Sequence, residues 1–379
     1  MHLALVTRRY PPLIGGAEKV FSYLAAALAR EGAEVTVLTS LSEGLPEREE
    51  LLVPRGRLTI VRLPTSSRRI VGTLRYMANL RRWFDRNATD LAYVSMLKHD
   101  AYVAVGVGRH KRFPVVLRPE GAGATGDLAW QSWGRFGQLI GRRCRMADAV
   151  ISIAPAITAE LRGARYRPEQ IHEVPNGVPV PQRSWLRRAD WNTQPRAVFV
   201  GRLAPEKRIG TLLEAWAQGV KPVLPDSRLV LIGDGPERPA LESQIERLGI
   251  RDVVELAGSI DDPVARLRDA DLFVLPSAEE GMSIALLEAM ALGIPVVATA
   301  IPGNRRLIDD GRHGLLVAPD DPGALARGIV SQWGDFDRAV QMGRLARARV
   351  VQEFSITAVA QMHLTLFQRL IREKRSLEA

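Results

Sequence analysis

Two glutamates eight positions apart, Glu280 and Glu288, lie in the stretch PSAEEGMSIALLEAMALGIPVVATAIPG at 276–303, across the opening of a helix. Gly281, Met282, Ser283 and Ile284 read as that helix's first turn, whose unpaired N–H groups and positive dipole end suit a phosphate. Glu280, in the loop before it, can accept hydrogen bonds from sugar hydroxyls, and Glu288, a turn inside, can take both hydroxyls of a ribose diol. The plainer alternative is that Glu280 begins a helix and Glu288 is a solvated helix charge. A second stretch, VGRLAPEKRI at 200–209, places Arg202, Lys207 and Arg208 in one loop after a strand. Cations there can neutralise a diphosphate, and they stabilise a transition state in which negative charge grows on it. Basic loop residues are also commonly just solvated. A third, IGDGP at 232–236, is a glycine turn after another strand, where Gly233 either makes a tight turn or brings backbone to a nucleotide.

These loops need strands to carry them. The first half alternates strand and helix: strand Leu3–Thr7, helix Ala17–Arg30, strand Glu34–Thr39, then candidate strands Leu58–Leu63, Leu91–Val94, Val115–Arg118, Ala149–Ile153 and Gln170–Val174. Pro175–Trp191, rich in Pro and Arg, reads as the linker. The pattern restarts with strands Ala197–Val200, Arg228–Ile232, Val253–Leu256, Leu272–Leu275, Pro295–Ala298 and Gly314–Val317, separated by helices that include Ile209–Ala217, Glu237–Leu248 and Ser283–Leu292. Alternation of this length predicts an α/β protein with a doubly wound parallel sheet in each half, whose ligands bind beyond the carboxyl ends of the strands.

The chain has 379 residues, 46% hydrophobic and 25% charged, enough for two cores. One cysteine, Cys144, excludes an intramolecular disulfide and fits a reducing compartment. The short apolar run Leu3–Val6 is followed by Arg8 and Arg9, so neither a secretory signal nor a membrane span is read there. The formal charge of +10 lies in the first half: residues 1–180 hold 26 Lys+Arg against 16 Asp+Glu, the rest 26 against 26. Such a field attracts any polyanion and does not choose among nucleic acid, anionic membrane and phosphorylated substrate.

Together GRLAPEKRI, IGDGP, LAGSIDD at 256–262, ADLFVLPS at 270–277 and the paired glutamates resemble glycosyltransferase family 4, almost continuously through the C-terminal half. The resemblance implies a GT-B fold, two facing Rossmann-like domains with an interdomain cleft: an acceptor domain at 1–180, a donor domain at 181–355, and a last helix, 356–379, that crosses back toward the first domain. It implies a retaining, metal-independent hexosyltransferase that uses a UDP-sugar or GDP-sugar as substrate and needs no cofactor. Arg202 and Lys207 would bind the diphosphate, Glu280 the sugar and Glu288 the ribose, with the base near Ser259 and Ile260. GGAE at 15–18 resembles the family's first glycine loop, in which Gly15 and Gly16 permit close approach and unusual φ toward phosphates or acceptor. The acceptor would be a glycan, a lipid-linked glycan or a small molecule, the setting cytoplasmic, at or near the inner face of the membrane, and nucleic acid is not expected.

The chain also departs from the family. PNGV at 175–178 is followed by Pro179 where an aspartate is usual, and RPEGAGATGD at 118–127 has no histidine where many relatives place one. Glu120, Asp127 and His99 are therefore the acceptor-side candidates. A reaction in which the departing phosphate helps deprotonate the acceptor needs no protein base, but a nucleotide-sugar-binding or scaffolding protein without turnover, and a GT-B epimerase, stay open. Asp269 and Asp271 look like a metal-binding Asp-x-Asp pair but fall at the wrong end of a strand for a site. No G-x-G-x-x-G follows the first strand, which argues against a dinucleotide oxidoreductase. Finally, Ile70–Arg86 puts Ile70, Leu74, Met77, Leu80 and Phe84 at helical spacing among arginines. This is either a helix packed on its sheet or one docked on anionic lipid.

Overall fold

The computed structural model describes residues 1–12, 15–123, 126–186, 191–260 and 262–376. The chain folds as two units, Met1–Gly177 with Ile356–Ala379, and Val178–Ser355. In the first, β1 (His2–Val6), α1 (Gly16–Arg30), β2 (Glu34–Ser40), β3 (Arg48–Val53), β4 (Gly56–Leu63), α2 (Arg69–Arg86), β5 (Leu91–Ser95) and α3 (His99–Lys111) lead to β6 (Val115–Arg118). Then come α4 (Asp127–Trp133), α5 (Gly137–Cys144), β7 (Ala149–Ser152), α6 (Pro155–Gly163) and β8 (Ile171–Glu173). The second unit holds β9 (Arg196–Val200), α7 (Ile209–Ala215), β10 (Arg228–Ile232), α8 (Arg238–Leu248), β11 (Val254–Gly258), α9 (Pro263–Leu267), β12 (Leu272–Leu275) and α10 (Ile284–Leu292). It ends with β13 (Val296–Thr299), α11 (Pro302–Arg305), β14 (Leu315–Val317), α12 (Pro322–Gly334) and α13 (Phe336–Arg349), after which α14 (Ile356–Ser376) belongs to the first unit.

The first sheet runs β3-β4-β2-β1-β5-β6-β7-β8 and the second β11-β10-β9-β12-β13-β14. Every pairing is parallel except β3 with β4. Runs such as Leu3–Val6 and Leu272–Leu275 are buried throughout, as strands covered on both faces must be. Helix starts are set locally: Asp262, Asp321 and Asp335 cap α9, α12 and α13 through their carboxylates.

Three expectations need correction. The first unit closes at Gly177 rather than 180, because Val178 donates its N–H to Phe354 O at 3.0 Å and bridges Ser355 within the second unit. The antiparallel edge strand β3 was not anticipated: its residues REELLV are mostly exposed and charged, so no apolar alternation marks them. In α2 the buried stripe is Gly72, Tyr76, Leu80 and Phe84, whereas Ile70 and Leu74 are about 60% exposed. Leu80 and Phe84, wholly buried, each contribute about 2 kcal/mol to seating this helix. No described helix is long and apolar enough to cross a membrane.

Candidate functional site

In the second unit the strand order reverses at β9, which has β10 on one side and β12 on the other, with Ala197 opposite Leu272 and Val198 opposite Phe273. The loops leaving β9 and β12 therefore start side by side, at the switch point where such sheets bind ligands. Ala278 N donates to Glu206 O at 2.9 Å and ties the two loops together. Across this junction Lys207 Nζ lies 2.6 Å from Glu280 Oε1, and Ser277 Oγ donates to the same oxygen at 2.8 Å. The side chains of Lys207 and Glu280 are 18% and 9% exposed, so the pair is poorly screened and each charge depends on the other. A third loop, after β13, supports them. Thr299 Oγ1 donates to Ser277 O and Asn304 Nδ2 to Thr299 O at 2.9 Å. Gly303 approaches so closely that a Cβ there would lie 2.3 Å from Glu280 O.

Arg202, five residues before Lys207, is exposed and has no ion-pair partner among the described residues. Arg208 instead pairs with Asp320 at 2.8 Å. The helix after Glu280 begins at Ile284, so Gly281 and Met282 lie in the turn before it and Ser283 is its N-cap, accepting from Leu286 N at 3.3 Å. The first-turn reading of Gly281–Ile284 shifts accordingly, because the serine hydroxyl captures the helix start. Glu288 is 5% exposed within an otherwise apolar α10, which excludes a solvated helix charge. Gly233 has φ +135°, and a Cβ there would lie 1.9 Å from Gly201 O, so it lets the β10 exit lie against the β9 exit. Ser259 is exposed and Ile260 half-buried just beyond β11; Asp261 of the same motif lies outside the described residues.

Asp271 is fully buried and accepts from Arg196 N at 2.9 Å, so it braces the amino ends of β12 and β9. A groove of about 630 Å³ along β9–β11, lined by Arg196, Arg228, Arg238, Arg251 and Arg266 among others, contains none of the candidate residues.

The first unit reverses at β1, flanked by β2 and β5. Arg8, just past β1, pairs with buried Asp100 at 3.0 Å and stacks over Tyr76 at 4.3 Å. His99, first residue of α3, meets Trp130 edge-on, and burial, with Arg8 and Lys98 nearby, lowers its pKa. Glu120 accepts from Ser95 Oγ and Arg118, and Arg118 also donates to Asn176 at 2.6 Å. Asp127 accepts from Glu120 N at 2.8 Å and Leu97 N at 3.4 Å, and burial raises its pKa. The three acceptor-side candidates thus gather at the carboxyl ends of β5 and β6, but Glu120 and Asp127 are tied into internal bonds. Gly15 caps α1 with an extended φ of −176° and Gly16 opens it, so the expected unusual φ is not found; Glu18 folds over Gly15 instead. Arg8, Lys98 and Arg118 were not singled out, although Arg8 and Arg118 stand where strands end.

Two parallel sheets in one chain, each reversing about a central strand, make the GT-B architecture. The chain belongs to the family 4 glycosyltransferases: it matches Glycosyltransferase Family 4 over residues 14–181 and Glycosyl transferases group 1 over residues 194–335. Alpha-maltose-1-phosphate synthase of Mycolicibacterium smegmatis is 30% identical over 256 residues, 59% of this chain and 64% of that protein. The chain spans 17% to 64% of the lengths of four curated relatives it matches, that synthase among them. Among solved structures, sucrose-phosphate synthase from Thermosynechococcus elongatus superposes with a TM-score of 0.81 at 24% identity, over 98% of this chain and 99% of that one. Anabaena HepE in complex with UDP-glucose superposes with a TM-score of 0.74 at 20% identity, over 99% of each chain.

Proposed function

We propose that this chain transfers a hexose from a nucleoside diphosphate sugar to an acceptor hydroxyl, with retention at the anomeric carbon. The observation that carries the reading is the convergence of Lys207 and Glu280 where β9 and β12 adjoin. The bond between the anomeric carbon and the diphosphate oxygen breaks, the acceptor oxygen bonds to the same face of that carbon, and the departing diphosphate takes the acceptor's proton. Arg202, Lys207 and the amino end of α10 meet the charge that grows on the diphosphate, and so act more strongly in the transition state than before it. Glu280 orients the sugar and Glu288 takes the ribose hydroxyls. Because protein cations meet the charge, the reading assigns no role to a metal ion or cofactor. The donor is a UDP- or GDP-hexose, in keeping with the UDP-glucose bound by HepE. The acceptor belongs to a cell-surface polysaccharide or glycolipid made on the cytoplasmic side.

The test is Lys207→Met and Arg202→Met, assayed by nucleotide release over a panel of donors and acceptors. Each lowers kcat by about 10²–10³ with the circular dichroism unchanged. Turnover left at the wild-type level by either replacement overturns the reading. Tight nucleotide binding without turnover on any acceptor would instead mark a binding protein, and release without acceptor an epimerase.

A further inference from the structure

The groove along β9–β11 is lined by five arginines and four acids, and most of these charges are spent on each other or on neighbours. Arg238 pairs with Glu242 at 2.9 Å, Arg266 with Glu255 at 3.3 Å and Arg251 with Glu246 at 2.9 Å, while Lys221 takes Asp252 at 2.8 Å. Two arginines are left over. Arg196, which donates to Gln194 Oε1 at 3.3 Å, and Arg228 have no ion-pair partner among the described residues, and the fourth acid, Asp269, is exposed and pairs with neither.

Arg196 and Arg228 stand in register at the amino ends of β9 and β10, so their side chains leave the same face of the sheet from strands about 4.8 Å apart. Like charges set so close repel, and both residues are half-buried, where water screens them less than on an open surface. The fold gains nothing from such a pair, whereas two guanidinium forks side by side can hold a phosphate through several charge-assisted bonds. Next on the same face come Val198 and Val230, again in register, the second only half-buried. The volume of about 630 Å³ is far more than a phosphate fills and falls in the range of small-molecule sites. We propose that this groove is a second ligand site, which binds a phosphomonoester of nucleotide size. Arg196 and Arg228 grip the phosphate, and the body of the molecule lies over Val198 and Val230. The Lys207 loop leaves the other end of β9, about 13 Å from Arg196 along the strand, so a phosphate held here is remote from the Lys207–Glu280 pair. The inference stands apart from the transfer reaction and does not need it.

The experiment is titration calorimetry of the full chain with AMP, ribose 5-phosphate, inorganic phosphate and adenosine at low salt. AMP is expected to bind, inorganic phosphate more weakly and adenosine not at all. Ribose 5-phosphate that binds as tightly as AMP supports the site and makes a sugar phosphate its ligand. R196M/R228M removes both charges, keeps the apolar stems and weakens AMP at least about tenfold. K207M leaves AMP binding unchanged. Absence of binding by either phosphomonoester, or adenosine binding as tightly as AMP, overturns the proposal. So does AMP binding that K207M abolishes and R196M/R228M does not, which would place the nucleotide beside Glu280. Thermal melting without ligand is the second readout: R196M/R228M melts no lower than wild type, because it breaks no ion pair and relieves a repulsion. A clearly lower melting temperature would assign the two arginines to the fold and overturn the proposal.

Discussion

His363, buried within α14, sits edge-on to Tyr93 of β5 and to Phe367, with ring centroids 5.5 and 5.7 Å apart. Its Nδ1 faces Val359 O at 2.8 Å and must donate, which leaves Nε2 to accept from the Tyr93 hydroxyl at 3.4 Å. Burial pushes its pKa from 6.5 down to about 4; the Val359 bond opposes this and Arg118 adds to it. Above about pH 6.5 the ring is neutral in folded and unfolded chains alike, and nothing is lost. Between 6.5 and about 4 the unfolded chain takes up a proton that the folded one refuses, so stability falls with pH, by about 3 kcal/mol in all at 1.36 kcal/mol per unit. The comparison that isolates this is wild type against His363→Phe in urea denaturation, following the first unit's transition. At about pH 7.5 the variant is less stable by about 1–2 kcal/mol, because the Tyr93 hydroxyl loses its acceptor. By about pH 4.5 the difference should shift by roughly 2–3 kcal/mol in the variant's favour, enough to cancel or reverse it, since only the wild type carries the titrating ring. A gap that stays constant over this range would refute the argument that burial keeps the ring neutral.

Other outcomes follow from the geometry of the second unit. Gly303→Ala pushes on the Glu280 backbone and costs about 1–3 kcal/mol, measurable by thermal melting, with a loss of turnover beyond what the lost fold explains. Glu288→Gln keeps a polar group in the buried position, so the fold should hold while calorimetry against UDP and GDP shows binding weakened about tenfold or more. Asp271→Ala removes the brace on Arg196 N and lowers stability by about 1–3 kcal/mol, leaving activity per folded molecule unchanged.

Much of this architecture was legible because buried parallel strands are short apolar runs bounded by turn residues, as Val115–Arg118 and Arg228–Ile232 illustrate. Strand β3 was not, since an exposed edge strand needs no apolar face. The stripe on α2 was half right: Leu80 and Phe84 obey the helical period, but the helix overhangs its sheet at Ile70 and Leu74, where periodicity persists without a surface to cover. Lys207 and Glu280 stood out singly by type and by their place after strands. Their contact is 73 residues long in sequence and exists only because β12 inserts beside β9. Glu288 read either as a ribose ligand or as a solvated helix charge, and its apolar neighbours on every side, IALLEAMAL, already spoke against the second by implying a helix wrapped by protein. The internal bonds of Glu120 and Asp127 depend on the path from β6 to α4, which no local pattern encodes.

The return of α14 makes the second unit a single continuous insert, entered at Val178 and left at Ser355, and those two residues bridge each other. A piece of chain whose ends already touch loses little when cut free. Residues 178–355 should therefore express and fold as an isolated module, and joining residue 177 to 356 through a short linker should return the flanking half as a second one.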